Sequence, residues 1–169
     1  VTGETGTGKE LVAHAIHYES DRAPKPFIPV NCGAIPNELF ENELFGHRRE
    51  AFTDARSHQP GLIAEAEGGT LFLDEVDTLT PSAQIKLLRF LEDRTYRSLG
   101  ASRPVRANVR LVAVTNGDLR QKVREGSFRA DLYYRLGIVS LHLPPQVKCT
   151  AVHPGANEAG TVLLPGLQG

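Results

Sequence analysis

The fold class is decided by the stretch Gly3-Glu4-Thr5-Gly6-Thr7-Gly8-Lys9, which fits the pattern GxxxxGK. A loop of this kind directs backbone N–H groups at phosphate oxygens, and its lysine meets the β- and γ-phosphates. The helix expected from Glu10 adds the positive end of its dipole. Glu10 stands where Ser or Thr usually reaches Mg²⁺, so the match alone also fits a plain glycine-rich turn before a helix.

A second motif, Gly69-Thr70-Leu71-Phe72-Leu73-Asp74-Glu75, predicts a buried strand that ends in two adjacent carboxylates. Ligands of open α/β sheets lie at this end of the strands. Asp74 is suited to hold Mg²⁺, and Glu75 is suited to polarise an attacking water as general base. Alone, the motif also fits an acidic turn between a strand and a helix, but the glycine-rich loop upstream favours binding and hydrolysis of ATP or GTP.

Short apolar runs alternate with helical patterns along the chain, which predicts an α/β fold with a parallel sheet covered by helices. Thr80 is a suitable N-cap and Pro81 a suitable first residue for a helix that places Ile85, Leu88 and Leu91 on one face. The predicted strands are 27–31, 70–74, 109–115 and 138–143. The predicted helices are 10–20, 37–44, one from 81, 119–125 and 129–136, with a polar excursion over 47–61.

Two further groups of polar residues have two interpretations each. Thr115 and Asn116 follow an apolar strand, where they either orient the attacking water and the γ-phosphate or simply cap the strand. Arg129 and Arg135 are six residues apart and do not share a helix face. Arginine can complete a phosphate site in trans, but the nearby Asp131 favours ordinary surface ion pairs on local sequence alone.

The composition argues against several classes of protein. A net charge of −1 with 40% hydrophobic and 23% charged residues is ordinary for a globular domain, and it argues against a disordered chain or a strongly basic nucleic-acid binder. No apolar run approaches the roughly 18 residues of a membrane span, and no signal peptide is visible. Cys32 and Cys149 predict free, inert thiols in a reducing compartment. His14 and His17 lie one helical turn apart without a third ligand nearby, so we expect no metal site there.

Together these motifs resemble the central AAA+ ATPase domain of the sigma-54-dependent transcriptional activators, the bacterial enhancer-binding proteins. The resemblance extends over about residues 1–145 and includes the unusual Glu10 after the loop lysine. It implies a three-layer α/β/α P-loop NTPase of the AAA+ type with a mostly parallel sheet. Besides the two motifs quoted, it is carried by Glu43-Leu44-Phe45-Gly46-His47 and by Phe128-Arg129-Ala130-Asp131-Leu132-Tyr133-Tyr134-Arg135-Leu136.

The resemblance implies a role for each matched residue. ATP would be bound by Lys9 with the rest of its loop, Mg²⁺ would be held by Asp74, and the attacking water would be activated by Glu75. The active form would be a ring, commonly a hexamer, in which ATP hydrolysis moves an exposed loop that remodels the sigma-54 RNA polymerase–promoter complex. The remaining roles would be restraint of Glu75 by Asn31, sensing of the nucleotide by Thr115 and Asn116, and contact with the neighbouring subunit's nucleotide by Arg129 and Arg135.

The sequence departs from the family at that loop, whose hallmark is Gly-Ala-Phe-Thr-Gly-Ala. Here the loop reads Glu50-Ala51-Phe52-Thr53-Asp54-Ala55, so the expected contact tip, Phe52 and Thr53, is kept and both glycines are replaced. Glycine permits a positive φ that Glu adopts poorly. We therefore expect sigma-54 engagement to be weakened or altered. The alternative is a nucleotide-binding regulator of the same lineage that does not act on sigma-54.

The ends of the chain suggest an incomplete copy of that domain. The chain contains no methionine and begins at Val1, just before the loop, so we expect the first strand to be largely missing. Residues 1–145 would form a partial ATPase core without the helical lid. Residues 146–169 carry two charged residues, Lys148 and Glu158, and would form a divergent tail, either frameshifted or disordered.

The incomplete domain also leads to expectations about activity, location and partners. The intact parent would hydrolyse ATP to ADP and phosphate in the bacterial cytoplasm, whereas the isolated chain would be inactive. DNA would be bound only through a domain that this sequence lacks, and no membrane partner is expected. A non-functional remnant stays an alternative, while the arginines and the excursion argue against a metabolic P-loop kinase.

Overall fold

The computed structural model describes residues 8–49, 51 and 57–137. The predicted strand at 138–143 and the tail at 146–169 lie outside these residues. In chain order the elements are α1 (Lys9–Tyr18), β1 (Phe27–Asn31), α2 (Asn37–Phe45), β2 (Gly46–His47), β3 (Gln59–Pro60), α3 (Leu62–Glu65), β4 (Thr70–Asp74), a 3-10 turn (Val76–Thr78), α4 (Pro81–Asp93), β5 (Thr95–Tyr96), β6 (Val105–Arg106), β7 (Arg110–Ala113), α5 (Leu119–Arg124) and α6 (Ala130–Leu136).

The main sheet consists of three parallel strands in the order β1-β4-β7. Phe27 of β1 pairs with Thr70 of β4, and Thr70 pairs in turn with Arg110 of β7, so the three strands begin and end at matching levels. The four residues Thr70–Leu73 of β4 are buried, as expected of a parallel strand covered on both faces. The predicted limits of β1 and β4 agree with the observed ones because continuous apolar runs mark both strands.

Helices cover both faces of this sheet and form a three-layer arrangement. On one face, Ala13 and Ile16 of α1 pack against Phe72 and Val112. On the other face, Leu71 and Leu73 belong to a larger core that includes residues from four helices, namely Leu44, Ile63, Leu87 and Leu132. The α/β/α architecture predicted from the sequence is therefore confirmed for the described residues.

Helix α4 begins as predicted but buries a different face. The Thr80 side chain accepts a hydrogen bond from the Ala83 N–H, and Pro81 is the first helical residue. The buried positions of the helix are Ala83, Gln84, Leu87, Phe90 and Leu91. Of the predicted apolar face of Ile85, Leu88 and Leu91, Leu91 is buried and Leu88 packs against the core, whereas Ile85 is 38% exposed and its predicted place on the buried face is wrong. The buried face is centred on Ala83, Leu87 and Phe90, and it includes Gln84, whose side-chain nitrogen donates to the carbonyls of Leu79 and Ser127.

The excursion over 47–61 begins and ends at a tight crossing of two backbone segments. Strands β2 and β3 pair antiparallel there, and Gly46 has a φ of 71°. A Cβ on Gly61 would lie only 2.6 Å from the Leu44 carbonyl oxygen, so the two segments leave no room for a side chain. Glu50, Phe52, Thr53 and Asp54 lie outside the described residues.

Candidate functional site

The carboxyl ends of β1, β4 and β7 bring most of the predicted site residues to one edge of the sheet. Asn31 and Asp74 are opposite each other in the β1–β4 register, and the Cys32 N–H donates to the Asp74 carbonyl at 2.9 Å. The Val114 N–H donates to the Leu73 carbonyl at 2.8 Å, which places Thr115 beside the same edge. Asn116 follows as an exposed residue.

Helix α1 presents its N-terminus at this edge. Its C-terminal half lies near the opposite edge, because His17 bonds to Thr70 at the start of β4 and Arg110 at the start of β7 donates to the Ile16 carbonyl. The helix therefore runs antiparallel to the strands. Gly8 precedes it with a φ of 76°, and Lys9, its first residue, is buried. The other loop residues, Gly3, Glu4, Thr5, Gly6 and Thr7, lie outside the described part of the chain.

Glu75 has a left-handed backbone conformation, with a φ of 54°. Its N–H donates to the Asp74 side chain at 2.8 Å. The Glu75 carboxylate lies directly over Gly33, where a Cβ would overlap with it. A non-glycine residue in this conformation is strained, and such strain concentrates at functional sites. The backbone thus directs the candidate general base towards the turn that follows β1.

Asn31 shapes that turn. Its side-chain oxygen accepts hydrogen bonds from the N–H groups of Gly33 at 2.8 Å and Ala34 at 3.1 Å. The same oxygen would be 3.4 Å from a Cβ on Gly33, the position that the Glu75 carboxylate covers. Asn31 and Glu75 therefore meet at one glycine. Restraint of Glu75 by Asn31 stays a prediction.

The Thr115 side chain contacts a residue that the sequence analysis did not single out. Its hydroxyl donates to the Asp77 carboxylate at 2.7 Å, and the other carboxylate oxygen accepts from Lys122 Nζ at 2.9 Å. Partial burial alone raises the pKa of Asp77, but the hydrogen bonds from Thr115 and Lys122 outweigh it and lower that pKa below its usual value. Asp77 follows the acidic pair by two residues, whereas nothing in the local sequence points to Lys122.

The two arginines predicted to act in trans contact their own chain in this conformation. Arg129 forms a two-pronged ion pair with Asp131, at 3.0 and 2.7 Å. This pair is the one that local sequence favours. Arg135 donates to the Leu91 carbonyl at 3.1 Å and lines a cavity of about 610 Å³ beside β7. Contact of either arginine with a neighbouring subunit stays a prediction.

The described carboxylates suit a divalent cation that is held partly by phosphate. Among residues 8–49, 51 and 57–137, no group of three or more His, Cys, Asp or Glu side chains could hold a metal by itself. Mg²⁺ commonly takes one or two carboxylates and completes its shell with water and phosphate oxygens. Asp74 at the carboxyl edge, with one oxygen on the Glu75 N–H, fits that pattern.

His17, at the edge of the sheet opposite the site, and Cys32, beside Asp74, have structural roles. His17 is fully buried and its Nδ1 lies 2.9 Å from the Thr70 hydroxyl, while His14 stacks on Tyr18. Cys32 is buried next to Asp74, and burial, followed by the negative charge of Asp74, raises the pKa of its thiol to about 12. The thiol is thus protonated at neutral pH. Cys149 lies beyond the described residues.

The structure has three features that define the class of P-loop nucleotide-binding proteins. These are a helix preceded by a glycine in the left-handed conformation, a parallel sheet covered by helices on both faces, and a pair of acidic residues at the carboxyl edge of that sheet. The model of the sigma-54 interaction domain family matches residues 1–142. The chain belongs to this family. No described helix is long and apolar enough to cross a membrane.

Similar proteins include regulatory proteins that are longer than this chain. The chain is 51% identical over 158 residues to the Nif-specific regulatory protein of Azotobacter vinelandii, an alignment that covers 94% of this chain and 30% of that protein. It is 41% identical to NtrX from Brucella abortus in a crystal structure with ATP, with a TM-score of 0.77 over 85% of this chain and 32% of NtrX. The chain thus spans about a third of the length of these relatives.

A more distant structure shares the fold alone. The P-loop NTPase domain of a sigma-54 transport activator from Escherichia coli has a TM-score of 0.52 at 22% identity, covering 79% of this chain and 85% of that one. The AAA+ P-loop NTPase fold expected from the sequence is therefore confirmed.

Proposed function

We propose that this chain is the ATP-binding and ATP-hydrolysing module of a regulator that remodels sigma-54 RNA polymerase at promoters. The observation that carries the proposal is the meeting of Asp74, Glu75 and Thr115 at the carboxyl edge, on the side to which α1 turns its N-terminus. The 41% identity to an ATP-bound relative supports ATP as the nucleotide.

The proposal assigns a role to each of the following site residues. Lys9 binds the β- and γ-phosphates, and Glu10 lies in the first turn of α1 beside it. Glu75 accepts a proton from the attacking water, while Thr115 and Asn116 orient that water and the γ-phosphate. Asp74 holds Mg²⁺, which neutralises phosphate charge when bound. Arg129 and Arg135 reach the nucleotide of the next subunit in a ring, a hexamer.

The substitutions Glu75→Gln and Lys9→Ala test this assignment in the natural polypeptide that carries the chain. Glu75→Gln removes the base but keeps the size of the side chain, so we expect ATP binding to persist while turnover falls by about 10²-fold. Lys9→Ala should abolish ATP binding. Glu92→Gln, on an exposed carboxylate at the end of α4, is the matched control and should leave turnover unchanged. Parental turnover in Glu75→Gln would refute the proposal.

The amino-acid sequence of the loop at 50–55 affects which partner the protein binds and how strongly it binds. We propose sigma-54 polymerase as the partner, contacted by Phe52 and Thr53, with weakened binding because Glu50 and Asp54 replace glycines. A pull-down with sigma-54 under a transition-state ATP analogue tests this. Binding that appears only after Glu50→Gly and Asp54→Gly supports weakening, and equal binding in both proteins contradicts it. Absence of binding in both favours the alternative, a regulator that does not act on sigma-54.

We also propose where this module ends and where it works. The ATPase core comprises residues 1–145 and the tail comprises 146–169, a division supported by the family match that ends at residue 142. The working compartment is the bacterial cytoplasm, where transcription regulators act. Contact with DNA belongs to another part of the complete protein.

A further inference from the structure

The Asp77 carboxylate joins two parts of the molecule that are distant in sequence. One oxygen accepts from the Thr115 hydroxyl at 2.7 Å, and the other accepts from Lys122 Nζ at 2.9 Å. The Lys122 ammonium also donates to the Asp77 backbone carbonyl at 2.9 Å. The buried Thr115 hydroxyl also lies 3.3 Å from the Gly117 carbonyl oxygen and accepts from the Gly117 N–H at 3.0 Å. The bond to Asp77 is the shortest of these three contacts, so Asp77 contributes most to the direction of this hydroxyl.

Lys122 continues the connection through its backbone. Its carbonyl accepts hydrogen bonds from the N–H groups of Ser127 at 3.0 Å and Phe128 at 3.1 Å. These two residues form the turn that leads into Arg129, and the Phe128 ring is buried in the core. The position of Lys122 thus determines the position of the turn.

Gln84 of α4 holds the other side of that turn. Its side-chain nitrogen donates to the Ser127 carbonyl at 3.1 Å, and its side-chain oxygen accepts from the Arg129 N–H at 2.9 Å. The Gln84 side chain is 1% exposed, so these bonds are shielded from water. An unbroken series of hydrogen bonds therefore runs from Thr115 to the backbone of Arg129.

We infer that Asp77 and Lys122 are positioning residues of the ATPase site, and that their ion pair couples the orientation of Thr115 to the turn that presents Arg129. This inference rests on the proposed function. Lys122→Met removes the ammonium and leaves the helix and its backbone carbonyl in place. Asp77→Asn keeps an acceptor for Thr115 and removes the charge that attracts Lys122.

The test measures ATP turnover in the natural polypeptide that carries this chain. We expect Asp77→Asn and Lys122→Met each to lower kcat by about tenfold while KM changes less than about twofold, the pattern of a lost transition-state interaction. The double variant should be no slower than the slower single variant, because both act through one contact. Lys122→Arg keeps the ion pair and should restore most of kcat.

The matched control is Lys86→Met, which breaks the Lys86–Glu41 ion pair between α4 and α2. It should leave kcat unchanged and shift the thermal midpoint about as much as Lys122→Met does. Equal kcat in the Lys122→Met and Lys86→Met variants, or additive losses in the double variant, would overturn the inference. The Glu75→Gln variant distinguishes failure of the proposed function from failure of this inference. If Glu75→Gln leaves turnover unchanged, the proposed ATPase assignment fails. If turnover depends on Glu75 but not on Lys122, only the inference about Asp77 and Lys122 fails.

Discussion

At the scale of single residues, the contact between Glu75 and Gly33 leaves no room for a side chain at position 33 in the turn after β1. The Glu75 carboxylate covers the place where any larger residue would put its Cβ. Gly33 does not have a positive φ, so its conformation is open to other residues. Glycine is therefore required at this position because the Glu75 carboxylate occupies the space of a side chain, and the backbone conformation does not require it.

We expect Gly33→Ala to lower ATP turnover by about tenfold or more in the complete protein, with ATP affinity and thermal stability nearly unchanged. The new methyl group displaces a flexible carboxylate, and small displacements of a catalytic group are costly to rate. Steady-state kinetics and nucleotide titration check this. Ala34→Ser, at the exposed next position, is the control. A rate equal to that of the control would show that Glu75 does not act from this position.

Cys32 provides a residue-scale test of the fold through its thiol. In a Cys149→Ser variant, we expect an aromatic disulfide reagent to label Cys32 only after denaturation, because burial raises its pKa from 9.0 to about 12. The folded-state pKa is the higher one, so its stabilising contribution is complete below pH 9.0 and is lost as pH rises towards 12. Rapid labelling of the native chain at mildly alkaline pH would contradict the placement of Cys32 in the core.

At the scale of elements, the backbone segments at Gly46 and Gly61 cross tightly at the two ends of the excursion over 47–61. Gly61→Ala places a methyl group against the backbone around Leu44, which cannot move as a side chain would. We expect a loss of about 2 kcal/mol in the free energy of unfolding. Urea denaturation measures it.

Gly126→Ala is the matched comparison for that substitution. Its φ is 75°, but no atom lies within 4 Å of the new methyl group, so only the backbone strain of about 1 kcal/mol applies. A Gly61→Ala protein that is as stable as the Gly126→Ala protein would show that the two segments separate easily.

The elements also show which features could be predicted from the sequence. The strands at Phe27–Asn31 and Thr70–Asp74 were predictable because apolar runs bounded by proline, glycine or acidic residues leave few alternatives. The buried face of α4 was not, because Gln84 is satisfied by carbonyls of Leu79 and Ser127 that only the tertiary structure brings near. The Asp77–Lys122 contact was missed for the same reason: its partners are 45 residues apart.

At the scale of the whole molecule, both candidate trans arginines are engaged within their own chain, one on Asp131 and the other on the Leu91 carbonyl. An arginine that acts in trans is worth orders of magnitude in phosphoryl transfer. If Arg129 and Arg135 act in the proposed ring, a single copy would lack their contribution to catalysis even with its own carboxylates in place. Assembly and catalysis are therefore expected to be linked.

We expect the isolated 169-residue chain to show negligible ATP turnover, whereas the complete protein hydrolyses ATP in proportion to its assembled fraction. Comparison of turnover with sedimentation over a range of protein concentrations checks this. Turnover by the isolated chain at dilutions where it is monomeric, abolished by Glu75→Gln, would contradict the expectation.

The left-handed backbone of Glu75 has a consequence for protein engineering. Asparagine tolerates this conformation better than glutamate, by up to about 1 kcal/mol. A library of variants selected only for heat resistance should therefore enrich Glu75→Asn, and the survivors should be the proteins that no longer turn over ATP. Selection for thermal stability would favour asparagine at position 75, whereas selection for catalysis would favour glutamate there.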